Sequence, residues 1–419
     1  MPTRRWSQFR QVLRRITFKP IPQRDTIIYD AFSERHLYPL LDMSKVGVFD
    51  LEFRKVNFWV VLRSITYGPP NARTYLFGYL ALARPKTVIT TSDNSINFYT
   101  IKAHFPEITT IAIQNGRRNT FGPRPNSSFQ VNLDELQPKA AVDFYFTFGT
   151  TERSQFKDLI NGHFVIHGNL KNNYLAHIAS SQRSGQRVMS YISSFPNLSS
   201  GNPGSIDSDL PTHFFGDTAI SYRSYFLPEG RISRFLNEYC KRNGIDFQVI
   251  GKRDETTPQE ADFFKSSVGD SSLKVVPCTP EGASYRALVD SDFVVSIDST
   301  LAYEMFGRGV KTAFLTMRAE AIGIDGVQCP NFGYPEITLE KGPFWTNLDA
   351  ESEFERVLDF VVRSSDSTWN ESTSVYRKSV MNVDPDNSEL YKLLTELGAS
   401  HGLGMPEIRK RVMETYGVN

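Results

Sequence analysis

Short apolar runs alternate along this chain with longer stretches in which apolar positions recur every three to four residues. These are the signatures of buried strands and of one-faced helices. In the first half the runs fall at Thr26–Tyr29, Val46–Phe49, Lys86–Thr90, Thr110–Gln114, Phe144–Phe148 and Phe164–His167, with helical spacing over 57–83 and 94–105. In the second half they fall at Arg187–Ile192, Phe247–Ile250, Leu273–Pro277, Phe293–Ile297 and Thr312–Leu315, with helical spacing over 219–243, 282–291 and 300–309. Strands alternating with helices predict parallel sheets covered on both faces. The stretch 168–186 carries neither pattern and marks a boundary. The expected organisation is an N-terminal helix over 1–20, one doubly wound domain over 21–175, a second over 176–365, and peripheral helices over 366–419. Residues 193–211 are rich in Ser, Gly, Pro and Asp and read as a long mobile loop. Two such domains facing each other leave a cleft, and ligands of open parallel sheets sit beyond the carboxyl ends of the strands.

The 419 residues suffice for two domains with sizeable cores. Lys and Arg number 47 against 46 Asp and Glu, a net charge of +1, which argues against a globally basic nucleic-acid binder. Cys240, Cys278 and Cys329 are scattered, with no CxxC pair. That excludes a disulfide framework or a cysteine-rich zinc site and fits the cytoplasm. No apolar run is long enough to span a membrane. Residues 4–19 read RRWSQFRQVLRRITFK, with Trp6, Phe9, Leu13 and Ile16 on one side of a helix among six cations and no acid. Such a helix suits an anionic surface and predicts peripheral attachment at the inner face of the plasma membrane. Packed on its own domain, it would show a solvated basic face instead.

The strongest local signal is DFVVSIDSTLAYEMFGRGVKTAFL, residues 292–315. A buried strand runs into Asp298, Ser299 and Thr300, where a helix starts. Hydroxyl residues cap helices, and the free N–H groups there favour an anion. Thr300 and Glu304 share a helix face, so a phosphate could sit at the turn with ribose hydroxyls one turn deeper. Equally, Ser299 and Thr300 could merely cap while Glu304 pairs with Arg308. Other post-strand loops fit an anion site: Gly251-Lys252-Arg253, then Cys278 to Gly282 with Glu281, and Ser193-Ser194. In the first half the post-strand loops bring Asp93, Glu34 and His36 forward as candidate bases and Arg117 and Arg118 as anion clamps, with Asn94, Gln114 and Asn115 beside them. Asp93 could also be a helix cap, Asn115-Gly116 a turn and His36 a surface histidine. There is no P-loop, no GxSxG elbow, no GxGxxG after the first strand and no HExxH, which argues against the corresponding ATPases, serine hydrolases, NAD dehydrogenases and zinc enzymes.

The segments VITTSDNSINFYTIK, IAIQNGRR, VIHGNLKNNY and SIDSTLAYE resemble glycosyltransferases of the GT-B fold, and more narrowly a group of bacterial surface-polysaccharide transferases from O-antigen and capsule clusters. The resemblance implies two Rossmann-like domains across a cleft, with a nucleotide-sugar donor in the second and a glycan or lipid-linked acceptor against the first. It implies Glu304 on the ribose, Ser299 and Thr300 on the phosphate, and Lys252 or Arg253 offsetting the leaving group, with no metal or resident cofactor. If the reaction inverts, a first-domain base is needed, Asp93 first and His36 second. A polyol-phosphate transferase with a CDP-linked donor shares this architecture. A non-catalytic nucleotide-sugar or glycan-binding module is a third reading.

Overall fold

The computed structural model describes residues 16–51, 55–118, 121–122, 128–136, 138–177, 185–195, 208–279, 282–323 and 331–417. The first half supplies strands β1 (Ile16–Thr17), β2 (Thr26–Tyr29), β3 (Val46–Phe49), β4 (Val56–Asn57), β5 (Thr87–Thr90), β6 (Thr109–Ile113), β7 (Phe121–Gly122), β8 (Ala140–Thr147) and β9 (Ile160–Ile166). The second half supplies β10 (Val188–Ile192), β11 (Pro211–Phe215), β12 (Thr218–Ser221), β13 (Asp246–Ile250), β14 (Lys274–Val276), β15 (Phe293–Ser296), β16 (Lys311–Leu315), β17 (Lys341–Gly342) and β18 (Trp345–Thr346). One sheet runs β3-β2-β5-β6-β8-β9, all parallel. The other runs β14-β13-β10-β15-β16-β18-β17, parallel except for its terminal pair. Each reverses its strand order once, between β2 and β5 and between β10 and β15, and such switch points open a crevice at the carboxyl ends. The central strands are apolar and buried along their length, as β2, β5 and β15 show, because helices cover both faces.

The expected helix over 57–83 is three pieces: Phe58–Ser64, a 3-10 turn Ile65–Tyr67, and Ala72–Ala83. Gly68 at φ +132° and two following prolines break it. The stretch 94–105 holds only a 3-10 turn and one helical turn. The loop expected over 193–211 lies largely outside the described residues. Beyond it, β11 and β12 form a hairpin whose β11 pairs with β7 of the first half, tying the two halves together. Residues 1–15 of the expected N-terminal helix lie outside the described residues, and Ile16–Thr17 form a strand on β4 rather than its end.

The final segment is not peripheral. After the helix Asp366–Val380 the chain returns to the first half: Asn382 donates to the Phe148 carbonyl at 2.7 Å, and Val383 bridges Gly168. Two helices follow, Ser388–Glu396 and Met405–Tyr416, whose Leu390, Leu394, Ile408 and Val412 join one core with Ile28 and Leu37. Their apolar spacing promises a buried face but does not say against which domain. The crossing requires close backbone contact. A Cβ on Gly168, at φ +95°, would stand 2.1 Å from the Asn382 carbonyl oxygen. Gly168→Ala is therefore expected to destabilise the fold by about 2 kcal/mol or more, read by urea unfolding.

Candidate functional site

A cavity of about 710 Å³ opens between the two sheets and is lined from both halves, a volume usual for ligand sites. On the second-half wall, β15 delivers Ser299 as the cap of the helix Thr300–Gly307. The turn is held by Ser299 N–H donating to the Ser296 hydroxyl at 3.0 Å. The Ser299 side chain caps nothing and lines the cavity beside the helix N-terminus, where an anion is favoured. The Thr300 hydroxyl accepts from the Arg117 backbone N–H at 3.2 Å, so this turn also docks the first half.

Beside it, one buried carboxylate shapes two loops. Glu260 accepts the backbone N–H groups of Lys252 and Arg253 at 2.9 and 2.8 Å and the Ser193 hydroxyl at 2.6 Å. Ser193 thereby braces the loop rather than presenting a free hydroxyl. A Cβ on Gly251 would fall 2.9 Å from that same carboxylate, so only glycine fits. Lys252 and Arg253 both line the cavity. Burial, then Arg253, pushes the Lys252 ammonium below its usual pKa, against Asp298 and Glu229. Cations this crowded gain by meeting an anion.

Asp298 is engaged elsewhere. Its carboxylate takes Arg318 at 3.0 Å and the Ser194 hydroxyl at 3.1 Å. Arg318, wholly buried, also reaches Glu229 at 3.0 Å and lies 4.2 Å over the Tyr225 ring. Burial raises Asp298, but Arg318 and Ser194 outweigh it and hold the carboxyl low. Asp298 thus lines the cavity with its carboxylate already engaged, and supports the turn. His213, from the β11 hairpin, stacks on Tyr225 at 4.2 Å and closes this end of the cavity.

One helical turn deeper, Glu304 lines the cavity with little exposure and accepts the Tyr285 hydroxyl. Burial raises its pKa to about 7, against the pull of Tyr285, Lys171 and Arg308. The expected Glu304–Arg308 pairing is not the main bond. Arg308 donates from Nε to the Asn172 side chain at 2.6 Å and from Nη2 to its carbonyl at 2.9 Å.

The first half contributes His36, on the helix Ala31–Leu37, to the lining of the same cavity. Its Nδ1 meets the Tyr416 hydroxyl at 2.8 Å, and its buried Nε2 has no partner among the described residues. Burial, then the cations of Arg35 and Lys171, hold its pKa down to about 3, so the ring is neutral. Asn115 and Arg117 also line the cavity. Arg117 is committed to Glu152 at 3.6 Å and to the Tyr303 ring at 4.2 Å.

Three expected first-half residues stand apart. Asp93 is wholly buried: Arg118 pairs with it, the Asn115 N–H donates at 3.1 Å and the Tyr145 hydroxyl at 3.0 Å. Its oxygens are spent on positioning the 115–118 loop, which removes it as a base open to the cleft. Gln114 is a loop clamp, accepting from Phe148 N–H at 2.8 Å and donating to the Gly116 carbonyl at 3.1 Å. Asn94 is exposed and does not line the cavity. Glu281 lies outside the described residues. Sequence reasoning missed Lys171, Tyr285 and His213. Lys171 sits in the VIHGNLKNNY segment without an assigned role. Tyr285 opens a helix after Gly282, and His213 lies just past the segment read as loop.

Two facing doubly wound sheets, with a cationic helix N-terminus at the cleft, place this protein in the GT-B architectural class. The model of a family described as "putative O-antigen biosynthesis protein" matches residues 111–398, and the chain belongs to that family. No curated protein matches it in sequence. Among solved structures it is similar to the wall teichoic acid polymerase TagF, at 12% identity over 95% of this chain and 90% of that one, TM-score 0.46. It is also similar to S. aureus MnaA in complex with UDP, at 9% over 90% and 97%, TM-score 0.46. A third is the UDP-GlcNAc 2-epimerase of Neisseria meningitidis bound to UDP-GlcNAc, at 11% over 89% and 98%, TM-score 0.42. No helix among the described residues is long and apolar enough to cross a membrane.

Proposed function

We propose that the protein transfers a sugar from a nucleotide-sugar donor to a hydroxyl of a glycan or lipid-linked acceptor in bacterial surface-polysaccharide synthesis. One observation carries the reading: a single cleft is lined by Ser299, Lys252 and Arg253, by Glu304 one helical turn on, and by His36, whose Nε2 has no partner among the described residues. The donor's phosphates lie at the Ser299–Thr300 turn between Lys252 and Arg253, and its ribose hydroxyls donate to Glu304. The acceptor hydroxyl attacks the anomeric carbon. The bond from that carbon to the phosphate oxygen breaks, the hydroxyl proton passes to His36 Nε2, and the nucleotide leaves with its electron pair. The two cations and the helix N-terminus meet the new charge, without calling on a resident cofactor. In the free protein His36 is a weak base. Burial is the larger cause of its low basicity, and the donor's negative phosphates offset the smaller part that comes from Arg35 and Lys171, raising its basicity once bound.

A thermal-shift panel of UDP, GDP, CMP, CDP and dTDP tests the site, because a ligand bound only by the native state raises its melting temperature. Mass analysis of the product then tests the reaction. A product that retains phosphate would overturn sugar transfer in favour of polyol-phosphate transfer, and no nucleotide response would overturn both. Glu304→Gln is expected to weaken the stabilising nucleotide by about ten- to a hundredfold at pH 8, since a charged hydrogen bond contributes about 1.5–3 kcal/mol. Wild-type affinity should rise as pH climbs through about 7 and Glu304 ionises. The variant lacks that rise, and titration calorimetry reads it. The sign for the unliganded fold is opposite. A carboxyl raised from 4.5 to about 7 adds stability below pH 4.5 that is lost as pH rises through 7.

A further inference from the structure

Among the described residues, five of the twelve exposed large apolar side chains gather in one place and line no part of the cleft: Phe18, Phe58, Trp59, Leu62 and Ile65, each leaving 40% to 64% of its surface to solvent. Pairing of β1 with β4 brings residues 16–19 against the helix Phe58–Ser64. The Phe18 and Phe58 rings lie 5.2 Å apart, and Trp59 Nε1 donates to the Phe18 carbonyl at 2.9 Å. Phe58, Leu62 and Ile65 recur at helical spacing on the outer side. Val60 and Ser64 face inward, where a Cβ on Gly78 would stand 2.7 Å from the Val60 carbonyl oxygen. The helix is therefore apolar on both faces, which a water-facing surface helix does not need.

The two chain segments that build this patch are one-sided in charge. Residues 1–24 contain seven Lys and Arg and no acid, and residues 55–92 contain five and no acid. With a net charge of +1 for the whole chain, the remainder is strongly acidic. Lys19, Lys55 and Arg63 are exposed beside the aromatic rings. A second copy of the same cationic patch would be repelled. Anionic headgroups would be attracted, and the Trp and Phe rings suit the boundary between headgroups and acyl chains.

We infer that this face, and not only the N-terminal arginine-rich segment, docks on an anionic lipid bilayer, with Phe18, Phe58, Trp59 and Leu62 inserted and Lys19, Lys55 and Arg63 at the headgroups. The inference is independent of the transferase reading, because vesicle binding needs neither donor nor acceptor.

The full-length chain is sedimented with phosphatidylcholine vesicles, with and without phosphatidylglycerol. It is expected to bind the anionic vesicles. The combined variant Phe58→Ser, Trp59→Ser, Leu62→Ser, which keeps residues 1–19 intact, should bind about tenfold more weakly or less still. Wild-type binding by that variant would overturn the proposal, as would a wild-type chain that ignores anionic vesicles. So would a wild-type dimer in light scattering that the variant converts to monomer. If the triple variant does not melt cooperatively, Trp6→Phe provides the second readout. It leaves Trp59 as the tryptophan within reach of lipid, because Trp345 and Trp369 are buried. Brominated lipid should quench its fluorescence, and unquenched emission from vesicle-bound protein would overturn the proposal.

Discussion

Replacing His36 with Gln is expected to cut turnover by about 10²–10⁴-fold while leaving nucleotide affinity unchanged. Gln can reproduce a hydrogen bond at the Nε2 position but cannot take up a proton at neutral pH. The ring is held by the Tyr416 hydroxyl on Nδ1 and by Phe32, whose ring centroid lies 5.1 Å away, so the substitution removes little packing. The pH profile separates a proton acceptor from a packing residue. With His36 near 3 in the free protein, its acid limb in kcat/KM falls well below neutrality. Bound phosphates raise it, so in the Glu304→Gln background, which removes the carboxyl's own rise near pH 7 from kcat/KM, the acid limb of kcat should lie at higher pH than that of kcat/KM. Equal limbs, or a variant of full activity, would remove the role.

The second large effect concerns stability. Arg318→Met should destabilise the fold by about 3–5 kcal/mol, measured by denaturant unfolding, because it leaves two carboxylates buried without their cation. Asp298 and Glu229 both depend on this guanidinium, and burial already pushes Glu229 upward. Adding Asp298→Asn and Glu229→Gln to Arg318→Met should recover a large part of that loss, because the neutral amides cost far less to bury. No recovery would mean that the stacking of Arg318 on Tyr225 and its bond to the Tyr225 carbonyl outweigh its ion pairs. The loss should carry over to nucleotide affinity, since Asp298 and Ser194 hold the turn that precedes Ser299.

What could be read along the chain was local. The strands of both sheets carry their own apolar runs except β17 and β18, two-residue strands at the edge of the second sheet that no run announces, and the junction from β15 through Asp298 into the helix at Thr300 announces itself by capping hydroxyls after a buried run. Glu304 follows from the helical repeat. What could not be read was pairing at a distance. Asp93 looks like a cap or a base from its neighbours, and only Arg118 and Tyr145, 25 and 52 positions on, turn it into a brace. Glu260 looks like an ordinary surface acid of a first helical turn, yet it is the hub of two post-strand loops. Arg318 is a common residue type whose burial depends on partners 20 and 89 positions away. The hairpin β11–β12 was hidden because the Ser- and Gly-rich stretch before it suggests a loop, and its partner strand lies in the other half.

The return of the last helices has a consequence for synthesis. Tyr416 packs at a tilt against Tyr174, with ring centroids 6.1 Å apart, and holds His36, so the histidine's pocket in the first half is completed by a side chain 380 positions further along. On the ribosome that half can assemble its sheet before Tyr416 has been made, so the corner around His36 takes shape only after the second half has emerged. Expressing residues 1–175 alone would leave this corner bare, whatever becomes of the rest.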